Sequence, residues 1–456
     1  MAEVTARKRI WGWMMLDWAT QPFYTLLLTF IFGPYFAEIA SGYYIGTGAD
    51  AETAKALAQS YWTLGLTITG LFIAFSAPVL GALADTTGRH MPWMVLFSLF
   101  YVAGTFSLWW MVPDGSAMLF CLIAFGAAMI GAEFMLVFVN ALLPSLGRRD
   151  EIGDLSGSGF ALGYAGGVVA LFIILLFFAE SQAGVTFIGI EPIMGLDGAA
   201  REGTRSVGPF TALWFIIFIV PFFLWVRDPR EPKKGNGVGA ALSDLGRSVM
   251  ALRQKPSLAT YLGSSMLYRD ALNAIYGVGG FYAALVLEWD ITKIGIFGII
   301  AAISAAGFSW AGGKADKRFG PKPVIVVNVW ILIIVVTVIV NMTRDSFFGM
   351  ALADGSTLPD IVMFVLGAVI GGSGGALQGA SRTMMARHTD SKRPTEAFGL
   401  YAFSGKATAF LAPGLLTFVT HMTNSPRYGL VPLIGLFIVA LILLRWVNPD
   451  GNRGEP

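Results

Sequence analysis

The feature that most constrains this chain is a series of long apolar runs, each close to the ~20 residues that a helix needs to cross a bilayer. The runs are continuous rather than alternating in polarity, which predicts membrane α-helices and excludes a membrane β-barrel. Only 13% of the 456 residues are charged, whereas a soluble domain carries about 25%. The predicted fold class is therefore all-α integral membrane, with twelve spans at residues 11–38, 60–84, 92–112, 117–143, 155–179, 209–227, 257–287, 293–311, 324–342, 358–386, 397–421 and 428–447.

The start of the chain resembles a signal peptide, because Arg7, Lys8 and Arg9 precede an apolar run. That run extends to about Ala40, well beyond the ~7–15 residues of a signal-peptide core, so we expect an uncleaved first span. Most of the 31 Lys and Arg residues lie at the two termini and in the loops that follow even-numbered spans. This bias predicts that both termini lie in the cytoplasm.

The chain is predicted to consist of two six-helix halves, residues 1–227 and 257–456, joined by a cytoplasmic segment at 228–256. In that segment Leu242, Leu245, Val249 and Leu252 recur at helical spacing, which indicates a short amphipathic helix on the membrane surface. A simple tether between the halves is an equally good interpretation.

An internal repeat supports this division. The loop at residues 81–92 and the loop at residues 312–323 carry Gly, Ala, Asp and Pro in the same order. Asp85 and Asp316 thus occupy equivalent positions, about half the chain apart. Two parallel six-span halves are the architecture of the major facilitator superfamily.

The first of these loops resembles the signature loop of that superfamily, G-x-x-x-D-x-x-G-R followed by a basic residue, here His90. The resemblance implies that Asp85 caps the start of a helix in the other half, near Glu396–Gly399, where a carboxylate meets the positive end of the helix dipole. It also implies a conformational gate built from Gly81, Asp85, Gly88, Arg89 and Asp316.

Ionisable residues inside membrane spans are costly and mark functional sites by default. None lies inside spans three, six, nine or twelve, which stand outside the central cavity in the facilitator architecture. Those found are Asp17, Glu133, Arg269, Asp270, Arg382 and Lys406. With their polar neighbours at helical spacing, they predict a substrate-binding set of Asp17, Gln21, Tyr24, Glu133, Asn140, Arg269, Asn273, Tyr276, Gln378 and Lys406.

Several of these residues have alternative roles. Asp17 would serve equally well in a structural ion pair, and one of Arg269 and Asp270 is expected to be structural. Arg382 is close enough to the membrane surface that we expect its side chain to snorkel towards water. Glu133, near the bilayer midplane, and Asp17 are the expected proton-coupling residues, because removal from water favours the neutral form of a carboxyl.

Other chemistries find no support in the sequence. The single cysteine, Cys121, excludes a disulfide framework, and the three histidines lack metal-ligand spacing. Ser404-Gly405-Lys406 does not have the spacing of a phosphate-binding loop. A net charge of +2 does not favour a nucleic-acid partner. We therefore expect no enzyme, no metal and no cofactor.

Beyond the superfamily, the chain resembles the vacuole-effluxer family, relatives of the yeast autophagy-related vacuolar amino-acid exporter with many bacterial members. The resemblance covers nearly the whole chain and is carried by Asp17-Trp18-Ala19, Phe23-Tyr24, Asn140–Pro144, Ser156–Gly167 and Phe398–Lys406. In the fungal members it implies export of neutral amino acids.

These observations predict a monomeric secondary transporter for a small polar solute, with membrane lipids and protons as further partners. Cations and carboxylates at similar depth favour a zwitterion such as an amino acid or short peptide. Two other functions stay open: translocation of a lipid or lipid headgroup, and a receptor that transports nothing.

Overall fold

The structure is a computed structural model that describes residues 4–181, 184–228, 239, 243, 246, 247, 250–287, 289, 291–390, 393–423, 425 and 427–451. The described chain is built from α-helices. Its strands form a single two-stranded hairpin between spans nine and ten, in which Ser346–Phe347 pairs with Met350–Ala351.

The first six spans follow the predicted apolar runs. Their helices are Ala6–Pro22, Phe23–Phe30 and Phe32–Gly46 in span one, Ala51–Thr87 in span two, Met91–Phe106 with Ser107–Trp110 in span three, Met118–Leu142 with Leu143–Ser145 in span four, Ile152–Phe177 in span five, and Glu202–Arg205, Val207–Phe218 and Val220–Trp225 in span six. A short turn, Ile193–Gly195, precedes span six.

The remaining spans are Pro256–Val286 (seven), which follows the turn Leu252–Gln254, Ile291–Phe319 (eight), Pro321–Val340 (nine), Leu358–His388 (ten), Pro394–Ala407 with Leu411–Thr423 (eleven), and Tyr428–Leu430 with Val431–Leu444 (twelve). Among the described residues, ten helical segments are long and apolar enough to cross a membrane, and Tyr428–Leu444 is a shorter apolar helix. Together with the helix Pro256–Val286 they match the predicted runs one to one. The prediction of an all-α membrane fold is confirmed.

Span one is less regular than predicted, since residues Phe23–Phe30 form a π-helix. Pro22 has no N–H to donate to the carbonyl of Trp18. The indole N–H of Trp214 donates to that carbonyl instead, at 3.2 Å. Pro22 thus leaves the Trp18 carbonyl without its helical donor, and Trp214 of span six supplies one just before the π-helix begins.

Span eleven is also interrupted, although the sequence predicted one continuous helix. The break covers residues 408–410 and is followed by Pro413, which cannot donate to the carbonyl of Ala409. The amide of Ala412 donates instead to Oδ2 of Asp270 in span seven, at 2.8 Å. A buried carboxylate therefore caps the second half of the span.

Small residues allow spans eight and ten to pack closely. A Cβ atom at Gly367 would collide with the ring of Phe297, and one at Gly371 would collide with the carbonyl of Ala301. Gly367 and Gly371 are four residues apart and form a small-xxx-small pair, which lets the two helix backbones approach closely.

The chain divides into two compact units. The first unit comprises Met1–Ser76, Gly88–Val139 and Leu162–Pro232, and the second comprises Ala77–Thr87, Asn140–Ala161 and Lys233–Pro456. The predicted domain boundaries at 227 and 257 stay predictions. The proposed amphipathic helix falls largely outside the described residues, because Leu242, Leu245 and Val249 are not among them.

Candidate substrate and gating sites

The first unit brings together three of the predicted site residues, Asp17, Tyr24 and Glu133, which we call the acidic set. The hydroxyl of Tyr24 lies within electrostatic reach of both carboxylates. Asp17 is only 7% exposed. The acidic set can bind a cation or exchange a proton.

Glycines of span five make room for this part of span one. A Cβ at Gly163 would lie 3.3 Å from Cβ of Asp17, and one at Gly167 would lie 2.9 Å from Cγ of Gln21. Both glycines belong to the Ser156–Gly167 string that carries the family resemblance. That string therefore places the backbone of span five directly against the polar face of span one.

The second unit holds the basic set, Arg269, Tyr401, Gly405 and Lys406. The guanidinium of Arg269 lies over the ring of Tyr401, 4.2 Å from its centroid, and donates to the Tyr401 carbonyl at 3.1 Å. A Cβ at Gly405 would lie 2.7 Å from Cζ of Arg269, so glycine allows this approach. Lys406 follows directly, in the last turn of its helix. The basic set orients a guanidinium, the group best suited to a carboxylate.

Arg269 and Asp270 are adjacent in span seven and contact different halves of span eleven. Arg269 contacts the first half at Tyr401, whereas Asp270, only 2% exposed, accepts the amide of Ala412 in the second half. This contact supports the structural interpretation for Asp270. Span seven therefore contacts span eleven on both sides of the break at residues 408–410.

The other predicted residues of span seven lie one and two turns beyond Arg269. Asn273 is exposed, and Tyr276 is 42% exposed with its hydroxyl packed directly against Gly374 of span ten. Gln378, one turn further along span ten, is half-buried. These side chains extend a polar surface along spans seven and ten.

Arg382 does not snorkel, and that prediction was wrong. It is 2% exposed and its guanidinium lies 4.2 Å from the ring centroid of Phe160. It donates to Oγ and the carbonyl oxygen of Ser156 at 2.9 and 2.7 Å, and to Oδ1 of Asn140 at 3.3 Å. Three hydrogen-bond acceptors and an aromatic ring therefore stabilise the guanidinium inside the protein, so the side chain does not extend to water. Asn140, predicted to bind substrate, binds Arg382 here.

The loop after span two makes the contact expected of Asp85. Its Oδ2 accepts the amide of Glu396 at 2.8 Å, at the start of span eleven. Gly81 permits this approach, because a Cβ there would lie 2.5 Å from the carbonyl oxygen of Thr395. Gly88 ends the helix at a φ of 65°, and Arg89 is exposed. The geometry is present, and the gating role stays a prediction.

The loop after span eight contacts span five in a different way. Asp316 is 1% exposed and so close to Gly153 that a Cβ there would lie 2.5 Å from its Cγ. Among the described residues, neither carboxylate oxygen accepts a hydrogen bond. Nearby Thr383 donates its hydroxyl to the carbonyl of Gly379 instead.

Sequence reasoning missed a buried Ser–His contact. Oγ of Ser257 lies 2.8 Å from Nε2 of His388, whose Nδ1 lies 2.9 Å from the Met384 carbonyl. The hydroxyl also accepts the amide of Asn448, after span twelve, at 2.8 Å. These residues lie 131 and 191 positions apart, so no local pattern could reveal the contact. It ties the end of the chain to spans seven and ten.

The described residues contain no group of three or more His, Cys, Asp or Glu side chains that could hold a metal ion.

The family model and the similar proteins point to the same family. The model of the family described as "Vacuole effluxer Atg22 like" matches residues 5–455. An uncharacterized MFS-type transporter, YxiO of Bacillus subtilis (strain 168), is 24% identical over 442 residues, covering 96% of this chain and 94% of that protein. Autophagy-related protein 22 of Cryptococcus neoformans var. neoformans serotype D is 24% identical over 311 residues, or 66% of this chain. The chain spans about half (51%) of that fungal relative.

Solved structures show the same fold. The human organic anion transporter MFSD10 (TETRAN) aligns with a TM-score of 0.68 at 14% identity, over 96% of this chain and 99% of that one. The proton:xylose symporter XylE aligns with a TM-score of 0.70 at 11% identity, over 97% and 95%. The chain has the major facilitator fold. Its homologues are transporters rather than enzymes, which confirms the prediction of no enzyme and supports membrane transport.

Proposed function

The chain belongs to the vacuole effluxer Atg22-like family, and from that premise we propose that it is a secondary transporter of a small zwitterionic, amino-acid-like solute. It works by alternating access, as a monomer without a cofactor, in a bacterial inner membrane with both termini in the cytoplasm. The excess of Lys and Arg in the loops after even-numbered spans supports this orientation.

The observation that carries the proposal is the basic set. Arg269 is held by the ring and carbonyl of Tyr401, yet it is only partly buried, so its remaining N–H groups can meet a solute. A guanidinium in this geometry binds a carboxylate with two parallel hydrogen bonds. Lys406, also partly buried, adds a second positive charge at the end of the helix that carries Tyr401.

The acidic set supplies the complementary chemistry. A zwitterion needs an acceptor for its ammonium group as well as a donor for its carboxylate. The first unit carries the carboxylates Asp17 and Glu133, and the second carries the cations Arg269 and Lys406. Organic anions and sugars are named for MFSD10 and XylE. An organic anion or a sugar has no ammonium group that would pair with the carboxylates of Asp17 and Glu133. An amino-acid-like solute therefore gives a role to more of the charged residues than either of them does.

Proton coupling is assigned to Glu133 and Asp17. Tyr24 lies within electrostatic reach of both, and a phenolic hydroxyl can donate to a carboxylate or accept from a protonated carboxyl. A proton gradient would supply about 1.4 kcal/mol per pH unit, and a membrane potential about 2.3 kcal/mol per charge for each 100 mV.

The deciding experiment is a thermal-shift screen of the purified protein against amino acids, dipeptides, organic acids and sugars, followed by uptake of each stabilising compound into proteoliposomes. A zwitterionic compound should stabilise the wild type and lose its effect in Arg269→Gln and Lys406→Ala. Arg253→Gln, which removes an exposed cation elsewhere, should leave it unchanged.

Three outcomes would contradict parts of the proposal. Stabilisation by no soluble compound, together with translocation of labelled phospholipid in otherwise empty liposomes, would favour the lipid-handling function. Uptake that ignores an imposed pH gradient in the wild type would exclude proton coupling. A pH dependence that is unchanged in Glu133→Gln would exclude Glu133 as a coupling residue.

A further inference from the structure

A surface groove of about 490 Å³ lies between spans one and six in the first unit. Two cations, two tryptophans and two smaller apolar residues account for most of its lining. They are Arg7, Lys8, Trp11, Met15, Pro221 and Trp225. None of the described residues that line it is acidic, and none belongs to the acidic set.

The groove follows from a close approach of two backbones. A Cβ at Gly12 would lie 2.9 Å from the carbonyl oxygen of Pro221 and 3.3 Å from Cβ of Trp225. Because Gly12 has no side chain, span one touches span six there, and the larger side chains before and after Gly12 border the space. Span six is also divided near this level into the helices Val207–Phe218 and Val220–Trp225.

The charges and the apolar lining follow one another along span one. Arg7 and Lys8 are exposed in the first turn of its helix, Trp11 is 45% exposed, and Met15 lies one turn further into the span. Tryptophan gathers at the headgroup level of a bilayer, and basic residues just outside a span attract anionic headgroups. Read from the end of the helix inward, the lining changes from cationic to amphipathic to apolar.

We propose that this groove is a binding site for one anionic phospholipid. Arg7 and Lys8 bind the phosphate and the charged headgroup, and an acyl chain lies along Met15, Pro221 and Trp225. Charge complementarity selects an anionic over a zwitterionic headgroup. The apolar inner part distinguishes a lipid from a free phosphate compound, which would contact the two cations alone.

The test is native mass spectrometry of the full chain in detergent, titrated with phosphatidylglycerol or phosphatidylcholine of the same acyl chains. One phosphatidylglycerol should remain bound, at least tenfold more tightly than phosphatidylcholine. The double variant Arg7→Gln/Lys8→Gln should lose this preference. Arg148→Gln/Arg253→Gln removes two exposed cations outside the groove and should keep it.

A second arm separates the lipid from its headgroup. Glycerol 3-phosphate should compete with phosphatidylglycerol more than a hundredfold less effectively. Competition at equal concentration would overturn the proposal in favour of a simple anion site. An equal loss of binding in both double variants would overturn it in favour of diffuse attraction by the basic residues. Melting temperatures of the variants show that each is folded.

Discussion

The two repeated loops, residues 81–92 and 312–323, begin alike. Each begins in the last turns of a long helix, Ala51–Thr87 or Ile291–Phe319, and each helix is followed by a glycine with positive φ, Gly88 at 65° and Gly320 at 85°. Side chains other than glycine rarely adopt this conformation. Shortly before that glycine, each loop places a buried aspartate, Asp85 or Asp316, against the start of another span.

The loops differ in how the aspartate is held. Asp85 accepts the backbone amide of Glu396 at 2.8 Å. Asp316 is pressed against Gly153 and, within the described part of the chain, accepts no hydrogen bond. The second loop uses its lysine instead, since Nζ of Lys314 lies 2.9 Å from Asp154 in the first turn of span five.

The next helix also begins differently after each loop. The amide of His90 donates to Oδ1 of Asp228 at 2.8 Å, whereas the equivalent position in the second loop is Pro321, which has no N–H to satisfy. The repeat thus preserves backbone shape and aspartate position. Hydrogen bonding has diverged, and the first loop depends on carboxylates more than the second.

The largest effect is expected from Gly81→Val. The obstacle is the backbone at Thr395, which cannot rotate away, so the variant should lose about 3 kcal/mol of unfolding free energy. Denaturant titration in mixed micelles measures it. Gly70→Val is the matched control, because it lies in the same helix with open space around its Cβ. Equal losses would show that the close approach is unimportant.

The next effect contrasts Asp85→Ala with Asp316→Ala. The first leaves the buried amide of Glu396 without its acceptor and should cost about 2 kcal/mol. The second removes a buried carboxylate that accepts no hydrogen bond from the described residues, so stability should stay equal or rise. The same titrations apply. A loss in Asp316→Ala as large as in Asp85→Ala would remove the difference between the loops.

A smaller, pH-dependent effect is expected from Asp228→Ala. Burial alone would raise the pKa of Asp228, but hydrogen bonds from the side chain and amide of His90 and from the Met91 amide lower it overall. A lowered folded pKa contributes stability that is fully present above the unfolded pKa of about 3.9 and is lost as pH falls through the folded pKa.

The wild type should therefore exceed Asp228→Ala by about 1 kcal/mol at pH 7, and the gap should close only below about pH 4. Unfolding titrations from pH 7 to pH 3 measure it. A gap that is constant over this range would exclude the carboxylate as its source.

The smallest effect is expected from Lys314→Gln. The ammonium is half exposed, so its pair with Asp154 should contribute about 0.5 kcal/mol and weaken with added salt. Lys317→Gln is the control, because Lys317 lies 3.9 Å from the same carboxylate and should contribute less. A loss above about 2 kcal/mol would instead indicate a desolvated ion pair.

Local sequence patterns predicted much of this architecture. Apolar runs predicted the helices, because span length and polarity are properties of contiguous residues. The repeat predicted the equivalent aspartates, and the signature loop predicted the start of span eleven as the partner of Asp85. Pro413 could also have signalled the break in that span, since proline removes one helical hydrogen bond wherever it occurs.

The sequence by itself determined where helices lie, which spans carry charge and where the loops repeat. Only the tertiary structure decided what each charge contacts: Ser156 and Asn140 for Arg382, the amide of Ala412 for Asp270, and Gly153 for Asp316. The reason is physical. A buried charge is stabilised by whichever donors or acceptors reach it, and here these come from spans more than a hundred residues away.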